Sequence, residues 1–272
     1  MEMSLQEYIN ESDRLIVGIG REWDWISTGI KNDLRYQELQ KYCEDDANSW
    51  LWPIVEFEYG YYNNDERIDE AYKTLRSFIG DKSYFLVSDL LIQDALLNGF
   101  EEENCVYPCG NYRYLQSGDP EDELMEVTAS EDFQGLVSRI HRIITERKGK
   151  LGEGESFYKP FFDGKFLYLN QKRQEYSKIK YNERAYLHNW DKYQNYLSNT
   201  LGKKLLILEL GVSLDYPTLI RWPFEKVTFI NNKAHLIRVH EKLYHHTPEI
   251  QEKTDSVQMN SVNYILQERE GL

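Results

Sequence analysis

The stretch LIVGIG at residues 15–20 is the part of the sequence that decides the fold. Three bulky apolar residues stand directly before two glycines that one isoleucine separates. A short apolar run of this kind predicts a buried strand, and the glycines predict a tight turn where the strand ends. The same arrangement recurs at residues 205–211, where the apolar stretch LLILEL is followed by Gly211. Two buried strands that each end in a glycine turn are typical of a sheet whose ligands sit at one edge.

Strands and helices alternate along the rest of the chain. Apolar runs predict further strands at residues 84–87, 234–239 and 262–266. Apolar residues at helical spacing predict helices at residues 30–46, 65–78, 90–97, 133–147 and 190–197. This alternation predicts an α/β fold, with a mostly parallel Rossmann-type sheet covered by helices on both faces. Ligands of such folds bind at the carboxyl ends of the strands.

The character of the sequence changes over residues 110–201, where acidic loops and a glycine-rich link interrupt the pattern. We predict a small inserted domain there. Residues 1–109 and 202–272 would form the large nucleotide-binding domain, with residues 28–80 as a helical segment within it. A chain of 272 residues is long enough for this arrangement.

The charge balance restricts the partners of the protein. The chain carries 32 basic and 46 acidic residues, a formal net charge of −14. A molecule with this charge repels nucleic-acid backbones and anionic membranes, so we expect neither as a partner. One basic pocket for a phosphorylated small molecule remains compatible with the net charge, because net charge governs long-range encounter rather than a single site.

The chain predicts a cytoplasmic protein with reduced thiols. Its amino terminus has neither a basic start nor an apolar run, and no stretch reaches the roughly 18 consecutive apolar residues of a membrane span. Cys43, Cys105 and Cys109 are odd in number and form no C-x-x-C pair. This pattern argues against a disulfide framework and against a four-cysteine zinc site. The adjacent pair His245 and His246 is interpreted as an exposed loop, so no metal is expected.

The residues around the first glycine turn leave two interpretations open. Gly18 and Gly20 would let the backbone approach a pyrophosphate, but Trp23 replaces the third glycine of the dinucleotide fingerprint. Arg21 and Glu22 would contact a phosphate or a ribose, or they would form a local ion pair at a helix start. Trp23 would stack on a base or fill the site. A plain strand-to-helix turn explains the same residues.

Several short stretches together resemble the sirtuin family, most closely its bacterial branch encoded beside macrodomain genes. The strand and glycine turn of residues 15–20 are similar to that family's first strand. The most specific match is LELGVS at residues 208–213, with a Pro-Phe pair after it. The other matching stretches are FLVS at residues 85–88, NGF at 98–100 and VYPCGNY at 106–112.

The resemblance implies that NAD or ADP-ribose binds between a large nucleotide domain and a small domain. Both glycine turns would contact phosphate and ribose. His240 falls where the family places an asparagine near the adenine-side ribose, and a solvent-facing strand end is the other interpretation of it. The cofactor-binding residues predicted from the turns and the resemblance are Gly18, Gly20, Arg21, Glu22, Trp23, Ser88, Asp89, Gly211, Val212, Ser213 and His240.

The positions that carry the family's chemistry are substituted. Its Thr-Asn-x-Asp segment falls on residues 89–92, so Leu90 and Ile92 replace two hydrogen-bonding groups. Its general base falls on Cys109, and a neutral thiol is a poor general base. Cys109 would be a nucleophile only if a neighbouring cation lowered its pKa, and inert buried cysteines are commoner. The family's zinc cysteines are absent too. The small domain would therefore rely on its own packing, with Trp190, Tyr158 and Phe161 as contributors.

Three hypotheses follow for the function. The first is a sirtuin-like pseudoenzyme that binds NAD, ADP-ribose or a related nucleotide, has lost protein deacylase chemistry and uses the bound state for regulation or for contact with a protein partner. The second is an NAD-consuming transferase of the sirtuin type, an ADP-ribosyltransferase, glycohydrolase or deacylase that uses Glu22, Asp89 or Cys109 in a non-standard active site. The third is a structural interaction protein with an empty pocket.

Overall fold

A computed structural model of the protein describes residues 3–172 and 179–270. The helices of these residues are α1 (Leu5–Glu11), α2 (Trp25–Asn32), α3 (Gln37–Cys43), α4 (Trp52–Tyr62), α5 (Glu66–Ile79), α6 (Asp94–Leu97), α7 (Glu131–Glu146), α8 (Arg184–Ser198), α9 (Arg221–Ile230) and α10 (Ser261–Glu270). The strands are β1 (Arg14–Ile19), β2 (Tyr84–Ser88), β3 (Cys105–Val106), β4 (Gly110–Gln116), β5 (Met125–Glu126), β6 (Phe161–Phe162), β7 (Lys165–Phe166), β8 (Tyr168–Gln171), β9 (Leu205–Leu210), β10 (Ala234–Val239) and β11 (Thr254–Val257).

The chain divides into two compact units. The first contains Met1–Asp24, Asp65–Pro108 and Tyr186–Leu272, and the second contains Trp25–Asn64 and Cys109–Ala185. This division differs from the predicted one at two places. Residues 25–64 cluster with the second unit, and most of α8 clusters with the first.

The first unit is built on a six-stranded sheet in the order β11-β10-β9-β1-β2-β3. All neighbouring strands in it are parallel. Ile19 is aligned with Ser88 on one side and with Leu210 on the other. The chain therefore leaves β1, β2 and β9 at the same edge, as the sequence predicted. The α/β fold with a parallel sheet flanked by helices is confirmed.

One charged cluster lies inside this apolar sheet. Glu209 of β9 is 1% exposed and Arg238 of β10 is 0% exposed. Arg238 Nη2 donates to Glu209 Oε2 at 2.8 Å, and its Nη1 donates to Glu225 Oε1 at 2.7 Å. Arg221 Nη1 lies 3.3 Å from Glu209 Oε1. Paired charges of this kind tolerate burial, whereas either charge alone would not.

Two predicted elements in the first unit are wrong. Residues 262–266 belong to α10, and the last strand is Thr254–Val257, whose alternating polar residues suit an edge strand. The predicted helix over residues 90–97 forms only at Asp94–Leu97. The Ser88 hydroxyl oxygen accepts the N–H of Leu90 at 3.2 Å and holds the chain in a turn there.

The face of α8 explains why this helix joins the first unit. The ring of Tyr193 lies 5.4 Å from the ring of Phe85 on β2, and the ring of Tyr196 lies 5.8 Å from it. The Tyr196 hydroxyl also donates to the backbone oxygens of Ser83 and Leu15. The sequence predicts this helix from the spacing of its aromatic residues. Those residues pack against the sheet of the first unit and not inside the second unit.

The second unit is organised around α4. This helix is apolar on nearly all sides, with Ile54 at 2% and Val55 at 0% exposure. Phe57 packs against Phe133 of α7 with ring centroids 5.0 Å apart. Residues 25–64 belong to this unit because α4 supplies its centre. The predicted helix over residues 30–46 is broken into α2, a short 3-10 turn and α3.

A buried polar group ties α4 to its neighbours within the second unit. Glu58 is 0% exposed, accepts a hydrogen bond from the Tyr36 hydroxyl at 2.7 Å and lies 2.8 Å from His141 Nδ1. Burial raises the pKa of Glu58, and these two hydrogen bonds oppose that rise. The β5-β4-β8 sheet and the β6–β7 hairpin complete the unit. Tyr158 and Phe161, expected to pack inside it, are 78% and 48% exposed.

Within residues 3–172 and 179–270, no helix combines the length and the apolar character that crossing a bilayer requires.

The buried pair of Arg238 and Glu209 yields a prediction of stability. We expect Arg238→Met to lower the free energy of unfolding by about 3 kcal/mol, because it leaves the Glu209 carboxylate buried without its main partner. Urea unfolding at neutral pH measures this. Arg142→Met, at an exposed arginine of α7, is the matched control and should change the value by less than about 0.5 kcal/mol. Equal effects of the two substitutions would contradict the assignment.

Glu155 yields a prediction of pH dependence in the second unit. Hydrogen bonds from Arg139, then Arg147 and the Gly152 N–H lower the pKa of Glu155 from its ordinary value of 4.5 to about 2. A lowered pKa stabilises the fold above pH 4.5, and this stabilisation is lost as the pH falls through about 2. We expect Glu155→Gln to cost about 1 kcal/mol at pH 7 and progressively less toward pH 2. The control Glu153→Gln should show no such convergence in thermal unfolding.

Candidate functional site

The candidate site lies at the carboxyl edge of the parallel sheet, within the first unit. The loops that follow β1 and β9 touch there without any side chain between them. A Cβ on Gly20 would lie 2.4 Å from Val212 Cα and 2.7 Å from the Gly211 oxygen. The N–H of Gly20 donates to Leu210 O at 3.0 Å, and the N–H of Glu22 donates to Gly211 O at 3.2 Å. The two predicted glycine turns are therefore brought together.

The glycines are required by the packing of the protein itself. A Cβ on Gly18 would lie 2.6 Å from side-chain atoms of both Ile220 and Phe224. Gly211 has a φ of 65°, and a Cβ there would lie 2.5 Å from Glu22 Cβ. Each position excludes a larger side chain before any ligand is considered. The glycine pattern is thus explained by the approach of two loops, and it is not by itself evidence of a nucleotide.

Unpaired backbone N–H groups at this contact are evidence for a bound ligand, whereas the glycines are not. Among residues 3–172 and 179–270, the N–H groups of Arg21, Val212 and Ser213 have no hydrogen-bond partner. Val212 is only 1% exposed, and its nitrogen would lie 3.0 Å from a Cβ on Gly20. An unpaired N–H in a buried residue is costly, so a group from outside the chain is expected to accept from it. Unpaired backbone amides in neighbouring loops are donors that an anion can use.

Arg21 adds a positive charge beside these amides. Its side chain is 45% exposed and pairs with Asp24 at 3.3 Å, three residues on. The predicted local ion pair is therefore present, although its partner is Asp24 instead of Glu22. Only the arginine end of this pair is exposed, since Asp24 is 8% exposed. The guanidinium is free to exchange this contact for a bound anion.

Glu22 has a structural role in the site. Its Oε2 accepts the N–H of Ser261 at 2.6 Å, and its Oε1 accepts the N–H of Glu241 at 2.8 Å. These bonds join the loop after β1 to the loop after β10 and to the start of α10. The first turn of a helix favours a negative charge. Glu22 is thus engaged by backbone groups.

His240 borders Glu22 without forming an ion pair with it. Its Nδ1 lies 3.3 Å from Glu22 Oε1, but the same nitrogen accepts the N–H groups of Lys242 and Leu243 at 3.0 and 3.1 Å. A nitrogen that accepts two hydrogen bonds carries no proton. Burial lowers the pKa of His240, which agrees with a neutral ring. His240 therefore lies at the end of β10, and its ring holds the loop after β10 through these two hydrogen bonds.

The Trp23 side chain is packed in the core of the first unit. It is 0% exposed, its ring lies 4.6 Å from that of Tyr72, and its Nε1–H donates to Ser261 Oγ at 3.1 Å. These contacts agree with the packing role of Trp23, whereas a ring that is 0% exposed offers no free face to a base. Ser261 was missed by sequence reasoning, because a single serine at the start of a helix has no distinctive pattern.

The loop after β2 brings Ser88 and Asp89 beside the glycine turn. The Asp89 N–H donates to Ile19 O at 3.3 Å. Ser88 is 1% exposed and its hydroxyl oxygen is used by Leu90 N–H. Leu90 is 2% exposed. The segment that corresponds to the polar Thr-Asn-x-Asp residues of sirtuins is thus partly buried in the core.

Cys109 belongs to the second unit, at the start of β4. It is 1% exposed, and its backbone oxygen accepts the N–H of Lys172 at 2.8 Å. All three cysteines are free and buried. Burial raises the pKa of the Cys43 thiol to about 12. Within the described ranges, no three His, Cys, Asp or Glu residues are grouped so that they could hold a metal.

The donor set has the chemistry of a site for an anionic group such as a phosphate. It consists of the unpaired amides of Arg21, Val212 and Ser213, together with the guanidinium of Arg21. Backbone amides and an arginine are the groups that proteins use for phosphate oxygens. The residues around it that sequence analysis assigned to the nucleotide, Glu22 and Trp23, are engaged by protein groups.

Neither a family model nor a curated protein matches the sequence. Solved structures do match over the whole chain. A variant of a Sir2 homologue in complex with ADP-ribose is 14% identical, covers 100% of this chain and 98% of its own, and has a TM-score of 0.58. A Sir2 homologue in complex with NAD is 12% identical, with 98% and 93% coverage and a TM-score of 0.55. A complex of Sir2 with a p53 peptide and NAD⁺ is 11% identical, with 100% and 98% coverage and a TM-score of 0.52.

The strand order, the glycine turns at one sheet edge and these full-length matches agree with the sequence resemblance. At identities of 11–14% the likeness concerns the fold alone. The chain has a divergent sirtuin fold.

Proposed function

We propose that the protein binds NAD, ADP-ribose or a related nucleotide at the contact between the loops after β1 and β9. The observation that carries the proposal is the set of unpaired N–H groups at Arg21, Val212 and Ser213. The pyrophosphate would accept from these amides, and the Arg21 guanidinium would neutralise part of its charge. That two of the similar structures are complexes with ADP-ribose and NAD supports the same ligand class.

The other predicted residues position this site. Glu22 holds three chain segments together through backbone amides, and the neutral ring of His240 fixes the loop after β10. Trp23 closes the interior behind them. The backbone donors are therefore held rigid before a ligand arrives, which lowers the entropy lost on binding.

We propose that the usual deacylase chemistry is lost, so that the protein acts as a pseudoenzyme. The chemistry that NAD would supply when bound is a ribose carbon open to attack by a nucleophile, with nicotinamide as the leaving group. Buried Leu90 offers no hydrogen bond to orient that ribose or a water, and Cys109 is buried in the second unit. Both observations support binding without turnover. The bound state would then serve regulation or contact with a protein partner.

The cellular setting belongs to the same proposal. Three free thiols suit the reducing cytoplasm. The net charge of −14 supports a small phosphorylated ligand held in one local site over nucleic acid as a partner.

Calorimetric titration tests the ligand. We expect heat with NAD or ADP-ribose, and Arg21→Gln should weaken binding roughly fivefold, because one charge-assisted contact to the pyrophosphate is removed. Arg142→Gln, at an exposed arginine of α7 distant in sequence from both loops, should leave the affinity unchanged. The absence of heat and of any thermal shift with both nucleotides would reject the proposal and favour an interaction protein with an empty pocket.

Incubation with NAD separates binding from catalysis. We expect no nicotinamide above the enzyme-free blank when the products are resolved by chromatography, because Leu90 and Ile92 replace polar groups. Release that is lost in Glu22→Ala or Cys109→Ala would show the non-standard active site of the alternative hypothesis. Thermal unfolding of both variants must match the wild type for that conclusion to hold.

A further inference from the structure

The second unit contains a lysine whose ammonium faces only aromatic rings. Lys159 Nζ lies 5.3 Å from the ring centre of Tyr168, 5.7 Å from that of Trp50 and 5.9 Å from that of Phe166. Within residues 3–172 and 179–270, this ammonium contacts no carboxylate, although the chain carries 46 acidic residues. Three rings around one cation attract it through their negative faces.

The three rings come from different elements that are held independently. Trp50 lies in the 3-10 turn Ser49–Leu51 and is 9% exposed, so its ring is fixed by the core. Phe166 lies in the β6–β7 hairpin, whose Phe161 N–H donates to Asp132 Oδ2 at 3.2 Å. Tyr168 lies in β8, paired with β4. The positions of these three rings therefore do not depend on Lys159.

We propose that Trp50, Phe166 and Tyr168 form an aromatic cage for a trimethylated lysine side chain of a protein partner, and that Lys159 fills the cage when the partner is absent. The resident side chain shows that the cage accepts a lysine stem with its terminal nitrogen. Methylation spreads the charge and lowers the cost of leaving water, so a trimethylammonium group favours the rings more than the strongly hydrated ammonium of Lys159 does.

The surface beside the cage suits a peptide. Tyr158 is 78% exposed, Phe161 is 48% exposed and Phe162 is 56% exposed, all within the same segment as Lys159. A cluster of exposed aromatic residues is uncommon on a monomer and is enriched at protein interfaces. The residues that flank a methylated lysine would pack on these rings. This inference is independent of the nucleotide site of the first unit.

Titration of the full chain with N-acetyl-Nε-trimethyl-lysine amide tests the proposal. Lys159→Met should bind it roughly tenfold more tightly than the wild type, because the competing occupant is removed. In that background Phe166→Leu should weaken binding roughly fivefold. Phe229→Leu, at a comparably exposed phenylalanine of α9 in the first unit, is the matched control and should have no effect. The neutral isostere with a tert-butyl group in place of trimethylammonium should not bind.

Three results would overturn the proposal. The first is that folded Lys159→Met, with wild-type circular dichroism and melting temperature, binds no trimethyl-lysine. The second is a loss of selectivity, in which the tert-butyl isostere binds equally well or Phe229→Leu weakens binding as much as Phe166→Leu does. The third is co-sedimentation with phosphatidylcholine vesicles without affinity for trimethyl-lysine, which would assign the cage to a lipid head group.

Discussion

The first unit depends on a contact between two loops that have no side chain between them. A Cβ on Gly20 would meet Val212 Cα at 2.4 Å, and one on Gly211 would meet Glu22 Cβ at 2.5 Å. This approach brings the nitrogen of Val212 to 3.0 Å from a Cβ on Gly20, the residue before Arg21. Glu22 then secures the arrangement by accepting the N–H groups of Ser261 and Glu241. The cost of the unpaired amides is what a bound phosphate would relieve.

The sequence predicted the central sheet because its strands are buried on both faces. The runs at residues 84–87, 205–210 and 234–239 are nearly continuous in apolar residues and correspond to β2, β9 and β10. The edge strand β11 was missed, since its sequence TDSV is polar, and α10 was taken for a strand from four apolar positions. The membership of residues 25–64 could not be read from local patterns, because it depends on distant contacts such as that of Phe57 with Phe133.

The sequence predicted that the two glycine turns meet at one edge of the sheet, but it did not predict the contacts of the residues beside them. The glycine turns lie at one edge, beside Ser88, Glu22 and His240, but the pattern does not say which groups face a ligand. A glutamate after a glycine turn is compatible with a ribose contact and with a backbone bridge, and only the positions of Ser261 and Glu241 distinguish these. Trp23 is a similar case, since its burial against Tyr72 depends on a helix about 50 residues away. The unpaired amides carry no signal in the sequence at all.

The central claim is that these backbone amides, and not the side chains of Glu22 or Trp23, receive the phosphates of a nucleotide. Backbone ¹H–¹⁵N resonances of the assigned protein, followed during titration with ADP-ribose, test this directly. We expect saturable shifts of the Arg21, Val212 and Ser213 amides, because these would be the direct hydrogen-bond donors. Saturable shifts elsewhere in the chain with these three amides unchanged would contradict it.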